Sequence, residues 1–277
     1  MFYNRNMKKP KIIFIDLDGT AMDASAEHRF QKRPSEYTKR VIKKLSTQIP
    51  VVVSTGRGVN ETTKEIVHSL GSDTYIAWNG AQIVIDGEVE QKEIIPNDVV
   101  AQVFKELRKN NCFVIFNSNI KEQTYVRNKF YKMLMHVGKA TAHTYKEFQN
   151  DFPVYKALVW CLSKNKLHKV AQKLRIKFQD KIEVSLSGSR NNIIEITKKD
   201  VSKGDAEVWF CNRFEIDPMN AIHIGDSLND ASTKGKIGKL VAMKNSVDAV
   251  LSIADEVTEY DCNNQGLAKY LEKFIEE

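Results

Sequence analysis

The sequence predicts an α/β protein, a doubly wound parallel sheet interrupted by an inserted α/β segment, and three observations predict it. Buried-type strands alternate with helical patterns near the N-terminus, the alternation returns near the C-terminus, and the stretch between them has a different texture. Lys11-Ile-Ile-Phe-Ile-Asp-Leu-Asp18 is an apolar, β-branched and aromatic run that ends in acid, the pattern of a central strand covered on both faces. Pro34 to Gln48 follows as a helix, with Tyr37, Val41, Ile42 and Leu45 at helical spacing. Pro50-Val-Val-Val-Ser-Thr55 is a second buried-type strand, closed by Gly56; Val59 to Leu70 is a helix stopped by Gly71; Tyr75 to Trp78 is a short strand.

In the C-terminal part, Ser202 to Phe214 reads as a helix, Ala221-Ile-His-Ile-Gly-Asp226 as a strand ending in acid, Leu240 to Met243 as another strand, and Gln265 to Ile275 as an amphipathic helix. Between these halves, Gln82 to Glu90 has the alternation of a hairpin turning at Asp86-Gly87. Val99 to Lys109 and Leu167 to Arg175 read as helices, and Cys112–Phe116, Val154–Leu162, Ile182–Leu186 and Ile193–Ile196 as strands. The expected division is a core of residues 1–82 and 198–277 around an inserted α/β domain of residues 83–197.

Composition excludes several classes. With 42% apolar residues and 13 Phe, 9 Tyr and 3 Trp among 277 residues, the chain fills a core and is not disordered; 13 Gly and 6 Pro exclude collagen-like and linker-like readings. No apolar run approaches the ~20 residues of a membrane span. The Ile12–Ile15 run stops at Asp16, too short for the core of a signal peptide. Cys112, Cys161, Cys211 and Cys262 show no CxxC spacing and no neighbouring His, as expected of reduced thiols in the cytoplasm. The net charge of +7 comes from scattered lysines rather than a basic block, so neither nucleic acid nor membrane is an expected partner, whereas an anionic small molecule fits.

The chemistry concentrates at strand ends. In open parallel sheets ligands bind beyond the carboxyl ends of the strands, and there this sequence places Asp16-Leu-Asp18-Gly-Thr20, Ser54-Thr55-Gly56-Arg57 and Gly225-Asp226-Ser-Leu-Asn229-Asp230. Carboxylates gathered in one crevice repel unless a cation sits among them, and an all-oxygen donor set suits Mg²⁺. His223, on a buried-type strand, reads as a core or supporting residue; His136 and His143 read as solvated loop histidines, and Tyr125, Phe130 and Tyr131 as core.

In order, these motifs resemble those of the haloacid dehalogenase superfamily of phosphohydrolases, with Lys203 standing as the third motif between Thr55 and Gly225–Asp230. The large insertion between the second and third motifs, Trp78-Asn-Gly-Ala81 and Val241-Ala-Met-Lys-Asn245 are similar to the Cof-type (subclass IIB) subfamily, over about Lys11 to Phe274. Two positions depart from its pattern: Ala21, where a bulky apolar residue is usual, and Lys244, where Gly is frequent.

The resemblance implies a Mg²⁺-dependent phosphatase acting on small phosphate monoesters, sugar phosphates or phosphorylated cofactors, in a monomer or weak homo-oligomer. Asp16 would be the nucleophile that forms an aspartyl-phosphate. Asp18 would protonate the leaving oxygen and then activate water. Thr55 with the amide of Gly56 would bind a phosphate oxygen; Lys203 would offset the charge of Asp16 and of the phosphoryl group. Asp226 and Asp16, with the backbone carbonyl of Asp18, would hold the metal, and Asp230 would be either a ligand or an acceptor that orients one. Asn229 would touch the phosphate or Asp230. Arg57 is equally well read as a solvated arginine at a helix start, and Thr20 as a turn former hydrogen-bonded within its own turn. The insertion would be a cap that selects substrate, hinged near Gly80–Ile83 and Thr197–Ser202. The polar stretch Ser187-Gly-Ser-Arg190-Asn-Asn192 is a candidate anion contact or a plain turn. Phosphoryl transfer to another hydroxyl, as in a mutase, and a non-catalytic phosphate sensor are the competing functions on this scaffold. A phosphorylating cation pump is excluded by Leu17, where such pumps carry Lys.

Overall fold

The computed structural model describes residues 9–26, 32–137, 141–187 and 192–276. Residues 188–191 of the polar stretch singled out above, Arg190 among them, lie outside the described residues. In chain order the elements are β1 (Ile12–Ile15), α1 (Glu36–Ser46), β2 (Val51–Ser54), α2 (Glu61–Ser69), β3 (Tyr75–Ala77), β4 (Gln82–Ile85) and β5 (Glu88–Lys92). Then come α3 (Asn97–Lys109), β6 (Phe113–Phe116), β7 (Thr124–Val126), α4 (Lys129–Val137), β8 (Ala142–Thr144), β9 (Lys156–Trp160), α5 (Lys164–Lys177), β10 (Ile182–Ser187) and β11 (Ile193–Lys198). The chain closes with α6 (Lys203–Arg213), β12 (Ala221–Gly225), β13 (Lys239–Ala242), α7 (Asp248–Leu251), β14 (Glu256–Val257) and α8 (Gly266–Leu271).

These elements form two compact units, Met1–Gln91 with Ser202–Glu277, and Lys92–Val201. The first is built on an eight-stranded sheet of order β14-β13-β12-β1-β2-β3-β4-β5. From β14 to β3 every pairing is parallel. Both faces of β1 and β2 are buried, which is why those strands are continuous apolar runs rather than alternating ones. The division falls nine residues later than 82/83 would place it, for a physical reason: β4 pairs antiparallel with β3, Ile76 opposite Ile83, so the hairpin extends the first sheet and does not open the insertion. Helix starts follow the sequence signals. Ser35, Asn60 and Ser202 each accept a hydrogen bond from the amide three residues on, capping α1, α2 and α6.

The register fixes the candidate site. Ile15 lies opposite Ile224 on one side and Val53 on the other, so the residues after β1, β2 and β12 leave the sheet side by side. Phe14 and Phe210 pack edge to face, with centroids 5.8 Å apart, and seat α6 on this part of the sheet.

The second unit has a six-stranded sheet of order β10-β11-β9-β6-β7-β8, antiparallel except for β7 with β8. Its core includes Phe104, Leu107, Phe116, Tyr125, Leu167 and Leu174. Tyr125 is core as expected, but Phe130 is not: it sits on α4 at 59% exposure. The four cysteines are free thiols, yet Cys112 and Cys161, remote in sequence, meet with sulfurs 3.1 Å apart because Phe113 and Trp160 are opposite one another in the sheet. Among the described residues no helix is long and apolar enough to cross a membrane.

Candidate active site

Residues Leu17–Ala21 form one wide turn closed by the amide of Met22 donating to the carbonyl of Leu17, at 3.0 Å. Strand β1 has already ended, so this turn rather than strand alternation sets the directions of Asp16 and Asp18. Gly19 has φ of +92°, and a β-carbon there would fall 2.3 Å from Asp226 Oδ2. Only glycine lets the two acidic segments approach this closely. Asn245 fastens the turn from below, its Nδ2 donating to the Gly19 carbonyl at 2.9 Å while its Oδ1 accepts from the Cys262 amide at 2.7 Å. Lys244 is not among the residues with positive φ, so the turn there does not require the glycine frequent in the resembling family. Thr20 is fully buried and its hydroxyl has no hydrogen-bond partner among the described residues, contrary to the expectation that it would bond within the turn.

Lys203, first residue of α6, is completely buried and lies between two carboxylates, with Nζ 2.6 Å from Asp16 Oδ1 and 2.7 Å from Asp230 Oδ1. Burial works against its charge, but Asp16 and Asp230 more than offset this and hold it as an ammonium. Asp230 is saturated: Oδ1 also accepts from His223 Nε2 at 2.9 Å, and Oδ2 accepts from the amides of Asp226 and Ser227 at 2.9 and 2.8 Å. Burial alone would raise its pKa, yet Lys203 and His223 hold it well below the usual carboxylate range. The other ring nitrogen of His223 meets Glu207 Oε1 at 2.8 Å, and with burial opposing, Glu207 and Asp230 raise the imidazole to about 9. His223 is thus buried, as expected, but among charges rather than apolar side chains.

The second and fourth motifs meet on the other side. Arg57 is not a solvated arginine: its Nε and Nη2 grip the two oxygens of Asp18 at 2.6 and 2.7 Å, a bidentate fork. Thr55 is buried, and its Oγ1 accepts from the Arg57 amide at 3.1 Å. A β-carbon on Gly56 would fall 2.8 Å from Asn79 Oδ1. That oxygen accepts from Asn229 Nδ2 at 2.9 Å, so Asn229 is bonded to Asn79 and not to Asp230; Asn229 Oδ1 is buried with no hydrogen-bond partner among the described residues. Asn79, in the left-handed region at φ of +56°, is a site residue that sequence reasoning quoted only as part of a motif. Glu207 was missed altogether, since an acid inside a helix carries no local signal of a buried partner.

Asp16, Asp226 and Asp230 each offer a carboxylate oxygen within 4.8 Å of the others, and all three are buried. Asp226 is pushed up to about 7 and Asp16 to about 6, in both cases first by burial and then by neighbouring carboxylates. A set of buried acids that resists ionisation fits a divalent cation bound by oxygen. Asp16 and Asp226 are the residues suited to hold it, because Asp230 is already saturated.

A pH dependence follows. In the metal-free chain, Asp16 and Asp226 keep protons that the unfolded chain releases near pH 4, so their contribution to stability is largest at low pH and falls as pH rises to about 7. His223 adds in the same sense, its contribution falling between about pH 6.5 and 9. Thermal melts in chelator should therefore drop from pH 5 to pH 8, and added Mg²⁺ should raise the midpoint more at pH 8 than at pH 5. An equal rise at both would contradict this assignment.

The family model of haloacid dehalogenase-like hydrolases matches residues 13–271. A "Putative phosphatase" of Buchnera aphidicola subsp. Baizongia pistaciae is 30% identical over 249 residues, covering 85% of this chain and 86% of its own length. Among solved structures, a haloalkanoate-superfamily phosphatase from Bacteroides thetaiotaomicron aligns with a TM-score of 0.77 at 21% identity, covering 99% of this chain and 98% of that one. A subclass IIB sugar phosphatase aligns with a TM-score of 0.73 at 22% identity, over 95% and 98% of the two chains.

Proposed function

The chain belongs to the haloacid dehalogenase-like hydrolase family, and from that premise we propose that it is a Mg²⁺-dependent phosphatase that hydrolyses small phosphate monoesters through an aspartyl-phosphate on Asp16. The observation that carries the proposal is the buried ammonium of Lys203 held 2.6 Å from Asp16 Oδ1, with Asp226 alongside, at the mouth of a parallel sheet. Oδ1 is engaged by Lys203, which leaves Oδ2 to attack phosphorus while the P–O bond to the alcohol breaks. Asp18 supplies a proton to the departing alkoxide and then takes one from the water that cleaves the acyl phosphate, which releases inorganic phosphate and restores Asp16. Thr55, Gly56 and Asn229 are assigned to the phosphate oxygens, with the Thr55 hydroxyl, the Gly56 amide and the Asn229 Nδ2 as donors; Nδ2 would exchange its bond to Asn79 for one to the phosphate. Asp16, Asp226 and the Asp18 carbonyl would hold the cation, which supplies charge neutralisation for the carboxylates and the phosphoryl oxygens. Asp230 orients Lys203 rather than binding metal. The inserted unit is assigned the choice of substrate. The names of relatives, which include phosphoglycolate phosphatase of Methanobrevibacter smithii at 25% identity, support small phosphorylated metabolites as the substrate class.

The test is a panel of phosphate monoesters assayed for inorganic phosphate with Mg²⁺ and with chelator. Release that stops on chelation is expected; a silent panel, or release that persists in chelator, would overturn the proposal. Arg57→Ala should lower kcat roughly 10- to 100-fold with KM little changed, since the fork aims the acid–base carboxylate. Arg57→Lys should fail to restore it, because an ammonium cannot make two parallel bonds. Steady-state kinetics on one active ester checks both.

A further inference from the structure

Two groups buried behind this site take no part in the proposed chemistry. His223, in the middle of β12, and Glu207, one turn into α6 from Lys203, are both at 0% exposure. The ring joins Glu207 Oε1 at 2.8 Å to Asp230 Oδ1 at 2.9 Å, and the same Asp230 oxygen meets Lys203 Nζ at 2.7 Å. The result is a continuous buried line from Glu207 through His223, Asp230 and Lys203 to Asp16. Such a line is a poor way to gain stability, because well-packed apolar side chains of similar volume do as well or better than buried ions. Its geometry suits another task. Asp230 Oδ1 competes with Asp16 Oδ1 for one ammonium, and a second donor on Asp230 weakens that competition. Both carboxylate oxygens of Asp230 are then fully used, so its position is fixed on all sides.

We propose that His223 and Glu207 are positioning residues for phosphoryl transfer: the imidazole, held by Glu207, clamps Asp230 and thereby keeps the Lys203 ammonium at Asp16 and at the phosphoryl group Asp16 receives. This rests on the function proposed above. The informative variant is the double replacement His223→Leu/Glu207→Leu, which removes the line without stranding a buried charge. It should melt no lower than the parent, while kcat falls about 10- to 100-fold and KM changes much less. Glu207→Gln should retain more activity than Glu207→Leu, because its amide still holds the ring with Nε2 donating to Asp230. A crystal structure of the double variant should have Lys203 Nζ withdrawn from Asp16 toward Asp230. Parental kcat with Lys203 unmoved would overturn the inference. The position of Lys203 decides it even if the parent releases no phosphate from any ester, an outcome that would sink the proposed function alone.

Discussion

Replacing Lys203 with methionine is expected to abolish phosphate release and to destabilise the fold by about 3–5 kcal/mol, the cost of leaving buried carboxylates without their cation. The size of the effect follows from where the ammonium lies. It is at 0% exposure, touches both Asp16 and Asp230, and is the shared counter-charge of both. Methionine fills much the same volume, so packing is nearly conserved and the loss is electrostatic. Mg²⁺ should recover part of the lost stability, because a cation between Asp16 and Asp226 offsets some of the unmatched charge, but should not recover turnover. Thermal or urea unfolding with and without Mg²⁺ checks the first half and phosphate release the second. A variant as stable as the parent in chelator would mean that Asp16 and Asp230 do not depend on Lys203.

Asp16→Asn should separate activity from stability in the opposite way. Turnover should fall by at least roughly 10³-fold, the scale on which loss of a nucleophile acts. The melting temperature should hold or rise, since burial already pushes the carboxyl up to about 6 and a neutral isostere escapes that burden. Lys203 keeps Asp230 as its partner, so no buried charge is orphaned. Parallel melts and assays of Asp16→Asn and Lys203→Met therefore distinguish a reacting group from a supporting one: the first loses only activity, the second loses both.

Much of this site is legible in the sequence because its parts lie at strand ends. The runs Lys11–Asp18, Pro50–Thr55 and Ala221–Asp226 announce buried parallel strands, and whatever follows such strands shares one edge of the sheet. Lys203 is different, since an isolated lysine has no local mark and only motif order selects it. What the sequence conceals is pairing that exists only after elements pack. Glu207 and His223 are 16 residues apart on a helix and a strand, and nothing in either segment announces the other. Arg57 finds Asp18, 39 residues away, for the same reason. The Asp86-Gly87 turn is readable, but a turn signal does not say which sheet the hairpin joins, so the division of the chain lies at Gln91 and Lys92 rather than at 82 and 83. Strands β7 and β8 have three residues each, too short to show a period, and α4 escapes notice because it leaves Phe130, Met133 and Leu134 exposed.

Chemical trapping of the covalent intermediate tests the central claim most directly. The protein is mixed with an active ester and Mg²⁺, quenched in acid and reduced with borohydride, and its peptides are mapped by mass spectrometry. An acyl phosphate on Asp16 predicts homoserine at that position and nowhere else, absent from Asp16→Asn. Turnover with position 16 recovered unmodified, or a label on any other side chain, would contradict the account.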